Sequence, residues 1–205
     1  MQNTHPRLER QAEIFRLADS QRGYFTSAQV KQLGIDYPIQ HYHKSTGNWL
    51  EVGRGTYRLA NYPSDPLDAF AALMLWSHNR AGEAQAVVGF ESALLLYNLG
   101  DVLPNKTHLI VPKGFRKRPP ANVTLHKQDL QTSEINLQQG VRVTTPQRTL
   151  LDLAESDISP EHLERAVEEA LNRGMVRSSK LETAAKKLRD PDQKRLFEAI
   201  RGKTK

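Results

Sequence analysis

Through residues 7–18 apolar side chains return at helical spacing. Leu8, Ala12, Phe15 and the pair Leu17 and Ala18 form one stripe among charged neighbours, which predicts an amphipathic helix in a region closed by Gly23. Thr26 stands where an N-cap belongs, ahead of Ala28, Val30 and Leu33, and so predicts a second helix over residues 27–33. Gly34 supplies a turn. Asp36 can cap a third helix, with Pro38 in its first turn, where a missing N–H costs little. That helix is expected to run to about residue 46 and stop at Gly47. Two β-prone runs, residues 49–52 and 56–59, are joined by Gly53, Arg54 and Gly55, the signature of a hairpin. Three helices followed by a hairpin is the order of a winged helix-turn-helix.

Pro63 and Pro66 mark a linker, so the expected division is a winged helix-turn-helix over residues 1–62 and a second domain over 63–205. In the second part, apolar helices are predicted at 67–76 and 91–99, and strands at 107–111, 123–126 and 141–144. Thr145 and Ser159 cap further helices at 146–154 and 160–172, and the charged tail from Lys180 is read as helical stretches interrupted at Asp190 and Pro191. The fold class is therefore α+β, with the winged helix-turn-helix followed by a larger mixed α/β domain whose sheet order the pattern leaves open.

Charge adds direction to this outline. The 205 residues carry 29 Lys and Arg against 23 Asp and Glu, a formal net charge of +6, which points to a polyanionic partner. Basic residues gather at Arg54 and Arg58, from Lys113 to Arg118, and from Lys180 to Arg201. There is no cysteine, so disulfides and thiolate metal sites are excluded. No apolar run approaches the roughly 18 residues of a membrane span, and the opening from Met1 to Arg7 lacks the apolar core of a secretory signal. The expectation is a cytoplasmic protein with no membrane partner.

In a helix-turn-helix the second helix of the motif enters the major groove, where each base pair presents its own donor and acceptor pattern. A wheel centred on Ile39 turns Ile35, Tyr42, His43 and Thr46 inward and Tyr37, Gln40, His41 and Lys44 outward. Gln40 could pair bidentately with adenine, His41 could donate to guanine N7, and Lys44 could reach a base edge or a phosphate. Arg54 at the wing tip would enter the minor groove or hold the backbone, and Arg58 would fix register on phosphates. The bland alternatives stay open: a basic hairpin tip can be merely solvated, and helix-turn-helix folds also dock proteins. His41, Tyr42 and His43 do not make a metal site, because neighbours two apart on a helix face apart.

Short stretches along the chain resemble the AbiEi-type abortive-infection antitoxins. They are Gly23 to Thr26, Val52 to Leu59, Glu91 to Leu94, His108 to Pro112, Val123 to His126 and, above all, Val143 to Ala154. Their order and spacing are more specific than any one of them. The resemblance implies a type IV toxin–antitoxin system. The winged domain would bind double-stranded DNA at inverted repeats and repress its own operon, with a dimer on DNA as one arrangement. The C-terminal domain would counteract a nucleotidyltransferase-like toxin, functionally or by contact. Relatives often carry His where this chain has Phe90, which leaves that position without the family's side chain.

The second domain has its own candidates. Lys113, Arg116, Lys117 and Arg118, followed by Pro119 and Pro120, form a basic loop that would face a toxin or a nucleic acid, or else is simply solvated. Arg148 and Asp152 lie four apart on one helix and read as an ion pair, and His108 and His126 as packed side chains. An enzyme reading finds no support. Gly89 to Ser92 is not followed by the paired aspartates of a nucleotidyltransferase, no Gly-rich phosphate loop precedes a helix, and the acids from Glu161 to Glu169 read as a solvated helix face. No cofactor, metal or catalytic residue is expected. The alternatives to an antitoxin and autorepressor are a stand-alone winged-helix regulator and a protein-interaction adaptor that does not bind DNA.

Overall fold

The computed structural model describes residues 6–64 and 67–202, and the chain divides into two units, Met1–Gln85 and Ala86–Lys205. In the first, α1 (Pro6–Asp19) leads into β1 (Tyr24–Thr26), α2 (Ser27–Gln32) and α3 (Tyr37–Ser45). The hairpin β2 (Trp49–Gly53) and β3 (Thr56–Leu59) and then α4 (Asp68–Trp76) complete it. The three strands form an antiparallel sheet ordered β1-β3-β2. The architecture is α+β, with three helices and a winged hairpin at the N-terminus.

Local chemistry accounts for the joints. The Thr26 side chain accepts from the Gln29 amide while the Gln29 side chain accepts from the Thr26 amide, a reciprocal cap that starts α2. The Gly55 carbonyl accepts from the Ser27 amide at 2.8 Å and ties the wing turn to the same point; Gly55 has φ +69°, a conformation glycine adopts without steric cost. One core holds these parts: Ile14, Ala18, Phe25, Val30, Ile35, Trp49 and Tyr57. Phe25 meets the edge of Trp49 at 4.8 Å between ring centres.

The domain boundary differs from the sequence expectation. The region expected to be a linker begins packed: Arg58 donates to the carbonyls of Tyr62 and Pro63 at 2.8 and 2.9 Å. Gly23 lies so close to Tyr62 that a Cβ there would sit 2.5 Å from its ring. Residues Asp65 and Pro66 lie outside the described residues. Helix α4, expected in the second domain, instead buries Ala71 and Leu75 against Tyr24. The first unit therefore runs past residue 62, because Tyr24 and Arg58 on the outer face of its sheet need cover.

The second unit is built on a five-stranded mixed sheet ordered β6-β5-β4-β8-β7. Its strands are β4 (Val87–Val88), β5 (Thr107–Val111), β6 (Val123–Lys127), β7 (Ile135–Gln138) and β8 (Val141–Thr144). Two of them, β4 and β7, were not expected. The two-residue β4 is too short for any alternation to reveal it, yet it pairs with both β5 and β8. Five α-helices accompany the sheet among the described residues: α5 (Phe90–Tyr97), α6 (Pro146–Ala154), α7 (Pro160–Asn172), α8 (Ser178–Ala185) and α9 (Asp190–Arg201). Thr145 and Ser159 cap α6 and α7 as their sequence positions suggest, accepting from the amides of Arg148 and His162. Asp190 and Pro191 open α9 where an interruption was expected, since proline suits the first turn of a helix.

Candidate nucleic-acid interface

Helix α3 and the wing carry the residues that sequence reasoning selected for DNA. Asp36 precedes the helix without a side-chain cap bond, and Pro38 lies in its first turn. Tyr37 is 73% exposed and His41 is exposed beside it, the two rings 6.2 Å apart. Lys44 lies one turn further on and forms an ion pair with Glu51 of β2. The Glu51 carboxylate raises the Lys44 pKa above its ordinary value by hydrogen bond and by charge. Arg54 is exposed in the turn between β2 and β3.

Two expected DNA contacts are corrected. Gln40 does not face outward. It is 4% exposed, accepts from the Ser27 hydroxyl at 2.6 Å and donates to the Ile35 carbonyl at 2.7 Å. These bonds fasten α3 to the start of α2 and leave the amide no free edge for a base. Arg58 is likewise engaged within the fold. Its side chain is 12% exposed, pairs with buried Asp68 at 3.4 Å, and lies 5.8 Å from the Tyr24 ring centre. Asp68 also faces Arg22 at 3.7 Å. These charges belong to the packing between the sheet and α4.

The inward set needs the same revision. Ile35 is buried, and His43 stacks on buried Trp49 at 4.7 Å. Tyr42, however, is 53% exposed and Thr46 is exposed. Ile39, on which the wheel was centred, and Phe15 of the apolar stripe in α1 are exposed as well, at 37% and 54%. The buried line of α3 therefore passes through Gln40 and His43, and its outer face presents Pro38, His41, Tyr42 and Ser45. The wheel failed because the residue that anchors the helix is polar and its partner, Ser27, is thirteen positions away.

In the second unit, Lys113, Arg116, Lys117 and Arg118 are exposed between β5 and β6. The strands are parallel, so the connection must travel back along their length before pairing resumes. Phe115 anchors it, 4% exposed. The Asp129 carboxylate accepts from the Lys113 amide at 3.2 Å and faces its ammonium at 4.0 Å. Lys186 and Lys187 are exposed between α8 and α9.

The remaining candidates are held inside this unit. Arg148 reaches Asp152 at 2.8 Å and Glu134 at 2.7 Å, and also bonds Gln128. Burial pushes the Asp152 carboxyl up to about 6 against the pull of Arg148. The His108 and His126 ring nitrogens lie 3.0 Å apart, and Phe90 stacks on His126 with ring centres 3.8 Å apart. Burial, and then the nearby His108, lower His126 to about 4. Phe90 itself is 6% exposed at φ +53°, in the sharp turn from β4 into α5. Gly89 precedes it, where a Cβ would fall 2.8 Å from Ile110.

Among the described residues, no helix is long and apolar enough to cross a membrane. Among curated proteins none matches the chain. A solved structure, the RV2827C protein from Mycobacterium tuberculosis, is similar in fold, with a TM-score of 0.63 at 15% identity, covering 91% of this chain and 74% of that one. A family model described as a transcriptional regulator, AbiEi antitoxin, matches residues 12–60. The model of the AbiEi antitoxin C-terminal domain matches residues 85–196. These spans follow the two folded units, and the chain belongs to the AbiEi antitoxin family.

Proposed function

We propose that the chain is a DNA-binding autorepressor and the antitoxin to a nucleotidyltransferase-like toxin, with the two tasks divided between its two units. The observation that carries this reading is the face of α3, where Tyr37 and His41 stand exposed, together with exposed Arg54 in the wing. The order of three helices and a wing suits insertion of α3 into the major groove of double-stranded operator DNA, with the wing on the adjacent backbone or minor groove. Inverted repeats would seat two copies. The basic loop with Lys113, Arg116, Lys117 and Arg118 would serve the second task, facing the toxin or the nucleic acid on which the toxin acts.

The test separates the tasks in cells. A full chain with Tyr37, His41 and Lys44 all changed to Ala is expressed from an unrelated promoter beside the toxin, and repression is read from a reporter on the native promoter. Lost repression with intact rescue is the expected result. Rescue that rises and falls with repression across variants would mean that the chain acts only through transcription.

A further inference from the structure

We propose that α3 reads thymine by its C5-methyl groups, through the ring of Tyr42, and not by bidentate hydrogen bonding. The inference rests on the DNA reading above and names what the helix recognises. Bidentate pairing with guanine or adenine calls for Arg, Lys, Asn or Gln at a base edge. No Arg or Asn occurs in α3, and its Gln40 is committed to Ser27 and Ile35. Lys44 is paired with Glu51. The Ser45 hydroxyl donates back to the Tyr42 carbonyl at 3.0 Å.

What the helix offers instead is ring surface. Tyr37 is 73% exposed and Tyr42 53% exposed. The Tyr42 ring does not hang loose: it meets the edge of His43 at 5.4 Å, and His43 is itself stacked on buried Trp49. A ring held in this way loses little freedom on binding. The thymine methyl is the one apolar feature on the base edges of the major groove, so an aromatic face gains most where thymines line it. His41 adds one donor, and the operator half-site is A·T-rich under α3.

The experiment begins with a duplex enriched from a random-sequence pool by the full chain. Each thymine of its half-site is replaced by deoxyuridine, which removes the methyl and keeps the base pair. Fluorescence anisotropy should show binding weakened about threefold to fourfold for each methyl contacted. Tyr42→Ala should bind the thymine and deoxyuridine duplexes equally, whereas Tyr42→Phe should keep the discrimination. Circular dichroism confirms that both variants are folded. Equal affinity of the unmodified chain for both duplexes overturns the proposal. So does a Tyr42→Phe loss as large as that of Tyr42→Ala, which would assign the phenol to phosphate. If no duplex is enriched at all, the DNA reading itself fails and this inference falls with it, an outcome distinct from enrichment without methyl dependence.

Discussion

Replacing Gln40 with Ala should weaken the fold and leave DNA discrimination alone. The side chain makes two short bonds, from the Ser27 hydroxyl at 2.6 Å and to the Ile35 carbonyl at 2.7 Å. Each is worth about 1 kcal/mol net. Ser27 can rotate toward another acceptor, but the Ile35 carbonyl would lose a buried partner, at about 1–3 kcal/mol. The expected cost is about 2–3 kcal/mol of stability, read as a lower urea midpoint with an unchanged slope. Ser27→Ala in the same background should show a coupling of about 1 kcal/mol in a double-mutant cycle. A base-reading glutamine would behave differently, losing about 1–3 kcal/mol on cognate sequence and less on random DNA. A stability change below about 0.5 kcal/mol, with affinity lost only on the enriched duplex, would refute the structural assignment of Gln40.

Four other outcomes follow from the geometry. Arg58→Met removes one of the two arginines that face buried Asp68 and should cost about 1–3 kcal/mol in chemical denaturation, with the salt slope of DNA binding unchanged; a slope reduced by one would return Arg58 to the phosphates. A fragment ending at Gln85 should melt cooperatively, and one ending at Tyr62 should be less stable because it lacks Asp68, Ala71 and Leu75; equal thermal stability would show that α4 contributes nothing. His126 is held near 4, below its usual 6.5, so between about 6.5 and 4 the unfolded chain binds the proton first and stability falls with falling pH; His126→Asn should flatten that part of the profile, and an unchanged slope would exclude His126 as its source. Changing Arg116, Lys117 and Arg118 to Ala should leave stability within about 0.5 kcal/mol and repression intact while rescue from the toxin is lost, and full rescue would take this loop out of the antitoxin surface.

The chain announced its elements wherever the signal was local. The cap at Thr26, the prolines that start α3 and α6, the glycine turn of the wing and the strand at residues 107–111 depend on neighbours a few positions away, and these were legible. Arg148 and Asp152, four apart on one helix, were equally so. The order of those elements was enough to suggest a winged helix-turn-helix, and the pattern of short motifs was enough to suggest the family. The exposed positions of α3 were legible only in part, at Tyr37, His41 and Lys44, while Tyr42 was placed inward.

What the sequence alone determined, then, is the succession of helices and turns, because their stabilising interactions close within one or two turns of chain. Tertiary structure decided the rest. Gln40 and Arg58 look like DNA contacts by residue type, and only the positions of Ser27, Ile35 and Asp68 show that their hydrogen-bonding capacity is already taken. Helix α4 joins the first unit because Tyr24 must be covered, and β4 exists only as a bridge between β5 and β8. Each of these depends on partners distant in sequence, which no local periodicity records, and a buried polar group must find such partners or destabilise the fold.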